Sequence, residues 1–61
     1  MHGYYARSLR TYLGLSSKDL AKLAKVSPKA VKLFESDQPL QLEDRLRIMA
    51  ELYKRKASNY A

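Results

Sequence analysis

The chain has 61 residues, of which 46% are hydrophobic and 30% are charged, with no cysteine and a net charge of +6. This length and composition predict one small folded domain over residues 1–61, exclude disulfides and thiolate metal sites, and leave little room for an active-site cavity. The basic balance favours a polyanionic partner.

The first predicted helix covers residues 3–13. Apolar side chains recur there at helical spacing, and Gly14 is suited to ending the helix because glycine adopts a left-handed backbone readily. We expect the large apolar residues to form its inward side: Tyr5, Leu9, Tyr12 and Leu13.

A second helix is predicted from Ser16 or Ser17, either of which can serve as N-cap, to about residue 24. A third is predicted over about residues 28–36, because Ser27-Pro28 places a capping hydroxyl before a proline that loses no hydrogen bond at the first helical position. The expected buried faces are Leu20, Ala21 and Ala24 in the second helix and Val31 and Phe34 in the third.

Basic charge concentrates on this pair of helices. Residues 17–34 contain five lysines and one aspartate. In an arbitrary chain such lysines are more often a solvated helix face than a binding surface. Their concentration on a single pair of helices favours a binding surface here.

The fourth predicted helix covers residues 41–56, with residues 57–61 as a frayed tail. Its expected buried stripe is Leu42, Leu46, Met49 and Tyr53, widened by Ile48 and Leu52. No segment shows strand alternation or an internal repeat. The sequence therefore predicts a compact, all-α, four-helix domain.

Turn and apolar residues spaced along residues 9–53 match a known family. They are Gly14-Leu15-Ser16, Leu20-Ala21, Val26-Ser27, Val31 and Phe34-Glu35. With them the sequence resembles the Cro/phage-repressor type of helix-turn-helix, also called the XRE-like family. The resemblance implies a lambda-repressor-like fold with the helix-turn-helix at about residues 17–36. It also implies a sequence-preferring regulator of transcription, specifically a repressor, that binds double-stranded DNA as a homodimer.

In that family the third helix lies in the major groove. By resemblance, Lys29 would donate to guanine O6 or N7, Leu33 would meet a thymine methyl, and Pro28 would lie in the same stretch. Side chains expected at the phosphate backbone are Arg10, Ser17, Lys18, Ser27, Lys32 and Gln38. The resemblance also pairs Arg10 with Glu35 in an ion pair that ties the first helix to the third.

The sequence departs from the family pattern at three places. Residue 17 is Ser where Gln is usual, which shortens a side chain that normally reaches phosphate. Residue 25 is Lys where Gly is usual, and a left-handed backbone there would cost a non-glycine residue about 1 to 2 kcal/mol. Pro28 and Leu33 replace hydrogen-bonding side chains, so we expect low or shape-based sequence specificity.

Two other functions compete with duplex binding. The first is a helix-turn-helix module for protein interaction, antitoxin-like or inhibitory, which would use Leu23, Leu33 or Tyr60. The second is single-stranded nucleic-acid binding, which needs exposed aromatic rings for base stacking. It ranks last because four aromatic residues are expected in the core: Tyr5, Tyr12, Phe34 and Tyr53.

The sequence contains neither a recognisable catalytic motif nor an apolar segment long enough to span a membrane. The single histidine, His2, lies at a terminus, and with two glycines no phosphate-binding loop can be assembled. We therefore expect no enzyme activity, no metal and no cofactor. No apolar run approaches the roughly 20 residues of a membrane span, and residues 1–10 lack the apolar centre of a secretory signal, so we expect a cytoplasmic protein.

Overall fold

The computed structural model describes residues 2–60, and the side chains of residues 2–58. Its helices are α1 (Gly3–Tyr12), α2 (Ser17–Ala24), α3 (Pro28–Glu35) and α4 (Leu42–Tyr60). Residues 2–60 form no strand, which confirms the all-α, four-helix class. α4 continues beyond its expected end at residue 56, so the expected tail is helical as far as Tyr60.

Side-chain caps fix where α2 and α3 begin. Ser16 is the N-cap of α2: its Oγ accepts from the backbone N–H of Asp19 at 3.0 Å, while Asp19 Oδ2 accepts from the backbone N–H of Ser16 at 3.0 Å. Two hydrogen bonds lower the pKa of Asp19. The larger effect comes from the bond that its carboxylate accepts from the Ser16 backbone, and the smaller from the bond with the Ser16 side chain. At α3, Ser27 Oγ accepts from the N–H of Ala30 at 3.1 Å and Pro28 occupies the first turn, as predicted.

Three loop residues between helices have a positive φ: Gly14, Lys25 and Asp37. Gly14, after α1, has φ +75°, which glycine accommodates without strain. Lys25, between α2 and α3, has φ 60° and ψ 43° although it carries a side chain. This short connection brings α2 and α3 against each other.

The core lies where all four helices meet. Its buried members are Ala6, Leu9, Leu20, Ala21, Ala24, Val31, Phe34, Ile48 and Leu52, with Leu13, Val26, Leu40 and Met49 packed partly buried against them. The predicted inward faces of α2 and α3 are confirmed. These helices bury the small and branched residues that permit close helix packing.

The predicted inward face of α1 is wrong at its tyrosines. Tyr5 is 38% exposed and Tyr12 is 64% exposed, whereas α1 buries Gly3, Ala6 and Leu9. The physical reason is close packing, because α1 contacts α3 through its smallest residue and larger rings are displaced to the rim.

The predicted face of α4 is confirmed at Ile48, Leu52 and Met49 and wrong at its other three residues. Leu42 is 67% exposed, Leu46 is 53% exposed and Tyr53 is 47% exposed, whereas Ile48 and Leu52 are almost completely buried. α4 has two apolar faces about 120° apart at 100° per residue, and the core uses the one with fewer large residues. Of the four aromatic residues expected in the core, only Phe34 is buried.

Candidate nucleic-acid interface

The candidate site is built around an ion pair between α1 and α3. Arg10 Nε donates to Glu35 Oε2 at 2.6 Å, and Arg10 Nη2 donates to Glu35 Oε1 at 3.1 Å. Arg10 Nη1 donates to the carbonyl oxygen of Leu15 at 2.9 Å. The family resemblance implied a pair between these two residues, and the structure brings them together in two-point geometry.

Partial burial makes the electrostatic interaction of this pair stronger than that of an ordinary surface pair. The side chains are 12% and 11% exposed, so solvent screens them weakly. Hydrogen bonding to Glu35 raises the pKa of Arg10 above its ordinary value, and burial opposes that rise. Arg10 is therefore a fixed, oriented cation.

An open cleft of about 310 Å³ adjoins this pair, at the place where α1, the start of α2 and the end of α3 come together. It is lined by Arg7, Arg10, Ser17, Lys32, Glu35 and Ser36. The lining contains three cationic side chains and one anionic side chain. This composition suits an anionic group with several oxygen acceptors.

The positive field of the cleft comes from two sources. Glu35 already engages Arg10, so Arg7 and Lys32, both exposed, supply the remaining cationic side chains. Ser17 is the first residue of α2, and backbone amides at a helix N-terminus favour anions. A phosphate oxygen in the cleft would meet both kinds of group.

Only three of the six residues that were expected to contact the phosphate backbone line the cleft. Arg10, Ser17 and Lys32 line it, whereas Lys18, Ser27 and Gln38 do not. These three are exposed, and the Ser27 hydroxyl already caps α3.

Arg7 and Ser36 are cleft residues that sequence reasoning missed. Helical spacing contains the signal for both, because Arg7 precedes Arg10 by three residues and Ser36 follows Lys32 by four. Ser36 Oγ donates to the carbonyl oxygen of Lys32 at 2.8 Å, which orients its hydroxyl beside the lysine.

The expected base-contacting residues lie on α3 outside the cleft lining. Pro28 and Lys29 are exposed in the first turn, and Leu33 is half-buried one turn later. Of the residues expected to contact a protein partner, Leu23 is 38% exposed on α2. The side chain of Tyr60 lies outside the described side chains.

Comparisons with protein-family models, curated proteins and solved structures gave no match. Within residues 2–60, no helix combines the length and apolar composition of a membrane span. The same part of the chain brings together no three His, Asp or Glu residues that could hold a metal ion.

Proposed function

We propose that this protein binds double-stranded DNA through the cleft and the adjoining outer face of α3, as a helix-turn-helix repressor of transcription. The observation that carries the proposal is the convergence of Arg7, Lys32 and the start of α2 beside the oriented Arg10–Glu35 pair. Phosphate contacts of this kind position a protein on a duplex, and residues on an adjacent helix then contact base edges.

In the proposed complex α3 lies in the major groove. Lys29 donates to guanine, while Pro28 and Leu33 make apolar contacts that discriminate bases weakly. Two copies bind paired half-sites about 34 Å apart, one helical turn of the duplex. Affinity in this mode depends on phosphate contacts more than on base contacts, so it falls steeply with salt.

A helix-turn-helix module for protein interaction is the competing proposal. Leu23 on α2 and the large apolar side chains on α4 are exposed, as a protein-binding surface requires. This function would survive the loss of DNA affinity. A variant that cannot bind DNA would therefore keep its cellular function under this proposal and lose it under the DNA proposal.

The test is a fluorescence-anisotropy titration of random duplex at low and at physiological salt. We expect salt-sensitive binding that Lys32→Glu weakens by about tenfold. The matched control is Lys22→Glu, which makes the same charge change on the face of α2 opposite its buried residues. No binding at low salt, equal losses in the two variants, or tighter binding to single strands would overturn the proposal.

A second experiment separates DNA binding from the competing function. Lys29→Glu with Lys32→Glu should abolish duplex binding while the circular dichroism spectrum stays helical. Loss of regulation in cells together with DNA affinity supports the DNA proposal. Full cellular function without DNA affinity supports the protein-interaction module.

A further inference from the structure

α4 has an apolar stripe that the core uses only at Met49. Leu42, Leu46, Met49 and Tyr53 follow one another at spacings of four, three and four residues, which is the a and d pattern of a coiled-coil seam. Three of these side chains are largely exposed, and Met49 is half-buried. Ala50 and Ala57 are exposed along the edge of the stripe and leave room for a second helix to approach.

We infer that two copies of this chain pair through this stripe, with their α4 helices antiparallel. The distribution of charge along α4 supports this orientation. Residues 43–51 contain three acidic and two basic residues, whereas residues 54–56 are all basic. Antiparallel pairing sets the acidic part of one helix against the basic part of the other and opposes the helix dipoles favourably, whereas parallel pairing sets like charges together.

The register follows from helix geometry. If Leu46 of one copy lies opposite the partner's Met49, then Leu42 lies opposite the partner's Tyr53, so the apolar residues of the seam meet one another throughout. Glu43 then lies within about two residues of the partner's Lys54 along the axis. Glu43 already pairs with Arg47 at 2.6 Å in its own helix, but both side chains are exposed and one carboxylate oxygen remains available.

A second copy fits this stripe better than duplex DNA does. The surface of DNA is uniformly anionic, whereas the stripe is apolar and is flanked by acidic as well as basic residues. No residue of the stripe lines the cleft, so pairing leaves both clefts available. A seam of four apolar side chains is small beside the roughly 800 Å² that each partner buries in a standard stable interface. We therefore expect reversible association with a micromolar or weaker dissociation constant.

Two copies also form part of the proposed function, but the surface and the orientation rest on α4 alone. Sedimentation equilibrium of the full chain without DNA, from micromolar to millimolar concentration, tests them separately from DNA binding. We expect a monomer–dimer equilibrium that Leu46→Glu weakens by at least about tenfold, because a charge is brought into the seam. The control Tyr4→Glu introduces the same charge at a tyrosine on α1 that is 74% exposed and should leave the equilibrium unchanged, with circular dichroism confirming the fold of both variants. A monomeric wild type at millimolar concentration, or equal losses in the two variants, would overturn the pairing.

Charge reversal tests the orientation. Antiparallel pairing predicts that Glu43→Lys and Lys54→Glu each weaken the dimer and that the double variant restores it. The double variant controls for the lost Glu43–Arg47 pair, which it does not rebuild. In a parallel dimer each single variant still sets like charge against like charge, so dimerisation unaffected by the single variants would contradict the antiparallel orientation.

Discussion

Arg10 and Glu35 join three parts of the fold through one guanidinium group. Two of its nitrogens bind the Glu35 carboxylate on α3, and the third binds the carbonyl oxygen of Leu15 in the loop before α2. Both side chains are nearly buried, so removing either leaves the other without its counter-charge in a poorly solvated site. The pair fixes the mutual position of the three elements that form the cleft.

Glu35→Gln should therefore destabilise the domain strongly. We expect the free energy of unfolding in urea to fall by about 3 kcal/mol, because Arg10 keeps its charge and loses its carboxylate. Replacing both residues, as Arg10→Met with Glu35→Leu, should recover part of that loss since no unpaired charge remains. A double variant no more stable than Glu35→Gln would contradict this assignment of the cost to an unpaired charge.

Gly3 should not tolerate any side chain. A Cβ there would overlap the carbonyl oxygen of Glu35 and lie 2.7 Å from that of Phe34, and neither backbone atom can move independently of α3. Gly3→Ala should lower the free energy of unfolding by about 2 kcal/mol, although alanine is the better helix former. Gly14→Ala is the matched control, because a Cβ meets nothing within 4 Å there and only the positive φ is strained. We expect the control to cost about 1 kcal/mol.

Lys25→Gly should stabilise the domain. Lys25 has the left-handed backbone at the end of α2, where glycine is favoured, and Arg47 contacts only its backbone carbonyl oxygen, at 3.4 Å. We expect the free energy of unfolding to rise by up to about 1 kcal/mol, since relief of strain exceeds the added freedom of the unfolded chain. Lys25→Ala removes the same charge but keeps the Cβ, so a similar gain from alanine would contradict the role of backbone strain.

Acid should weaken the start of α2 through Asp19. Its pKa is lower in the folded chain than in the unfolded one. The reciprocal Ser16–Asp19 hydrogen bonds therefore contribute fully to folding stability above about pH 4, where an unfolded aspartate ionises. The contribution is lost as pH falls through the folded pKa. Urea unfolding at a series of acidic pH values should show a smaller decline for Asp19→Asn than for the wild type. Parallel curves would show that Asp19 contributes nothing to the acid response.

Local signals made α2 and α3 predictable from the sequence. A capping serine, a proline in the first turn and apolar residues of matching spacing all agree there, so both buried faces are as expected. The Arg10–Glu35 pair joins residues far apart in the chain, and only the family resemblance pointed to it. Arg7 lines the cleft because of where α1 crosses α3, and its spacing of three residues from Arg10 was the one local signal for it.

The faces of α1 and α4 were not predictable from residue size. Burial follows the closest approach of two helices, and at α1 that approach occurs through Gly3. The rings of α1 instead reach the rim, where Tyr5 accepts a hydrogen bond from Lys56 Nζ at 2.9 Å. On α4 two apolar faces compete, and only the packing of the other three helices decides between them.

Alanine substitutions on α4 should distinguish these two faces directly. Ile48→Ala removes a side chain that is 1% exposed, so it should lower the free energy of unfolding by about 3 kcal/mol through lost burial and a cavity. Leu46→Ala truncates a residue of the predicted stripe that is 53% exposed. This substitution should lower the free energy of unfolding of the monomer by less than about 1 kcal/mol. Both measurements belong at low protein concentration, where pairing of two copies does not contribute. Equal costs at the two positions would show that the core uses both faces of α4, and would remove the unpartnered stripe from which the antiparallel dimer is inferred.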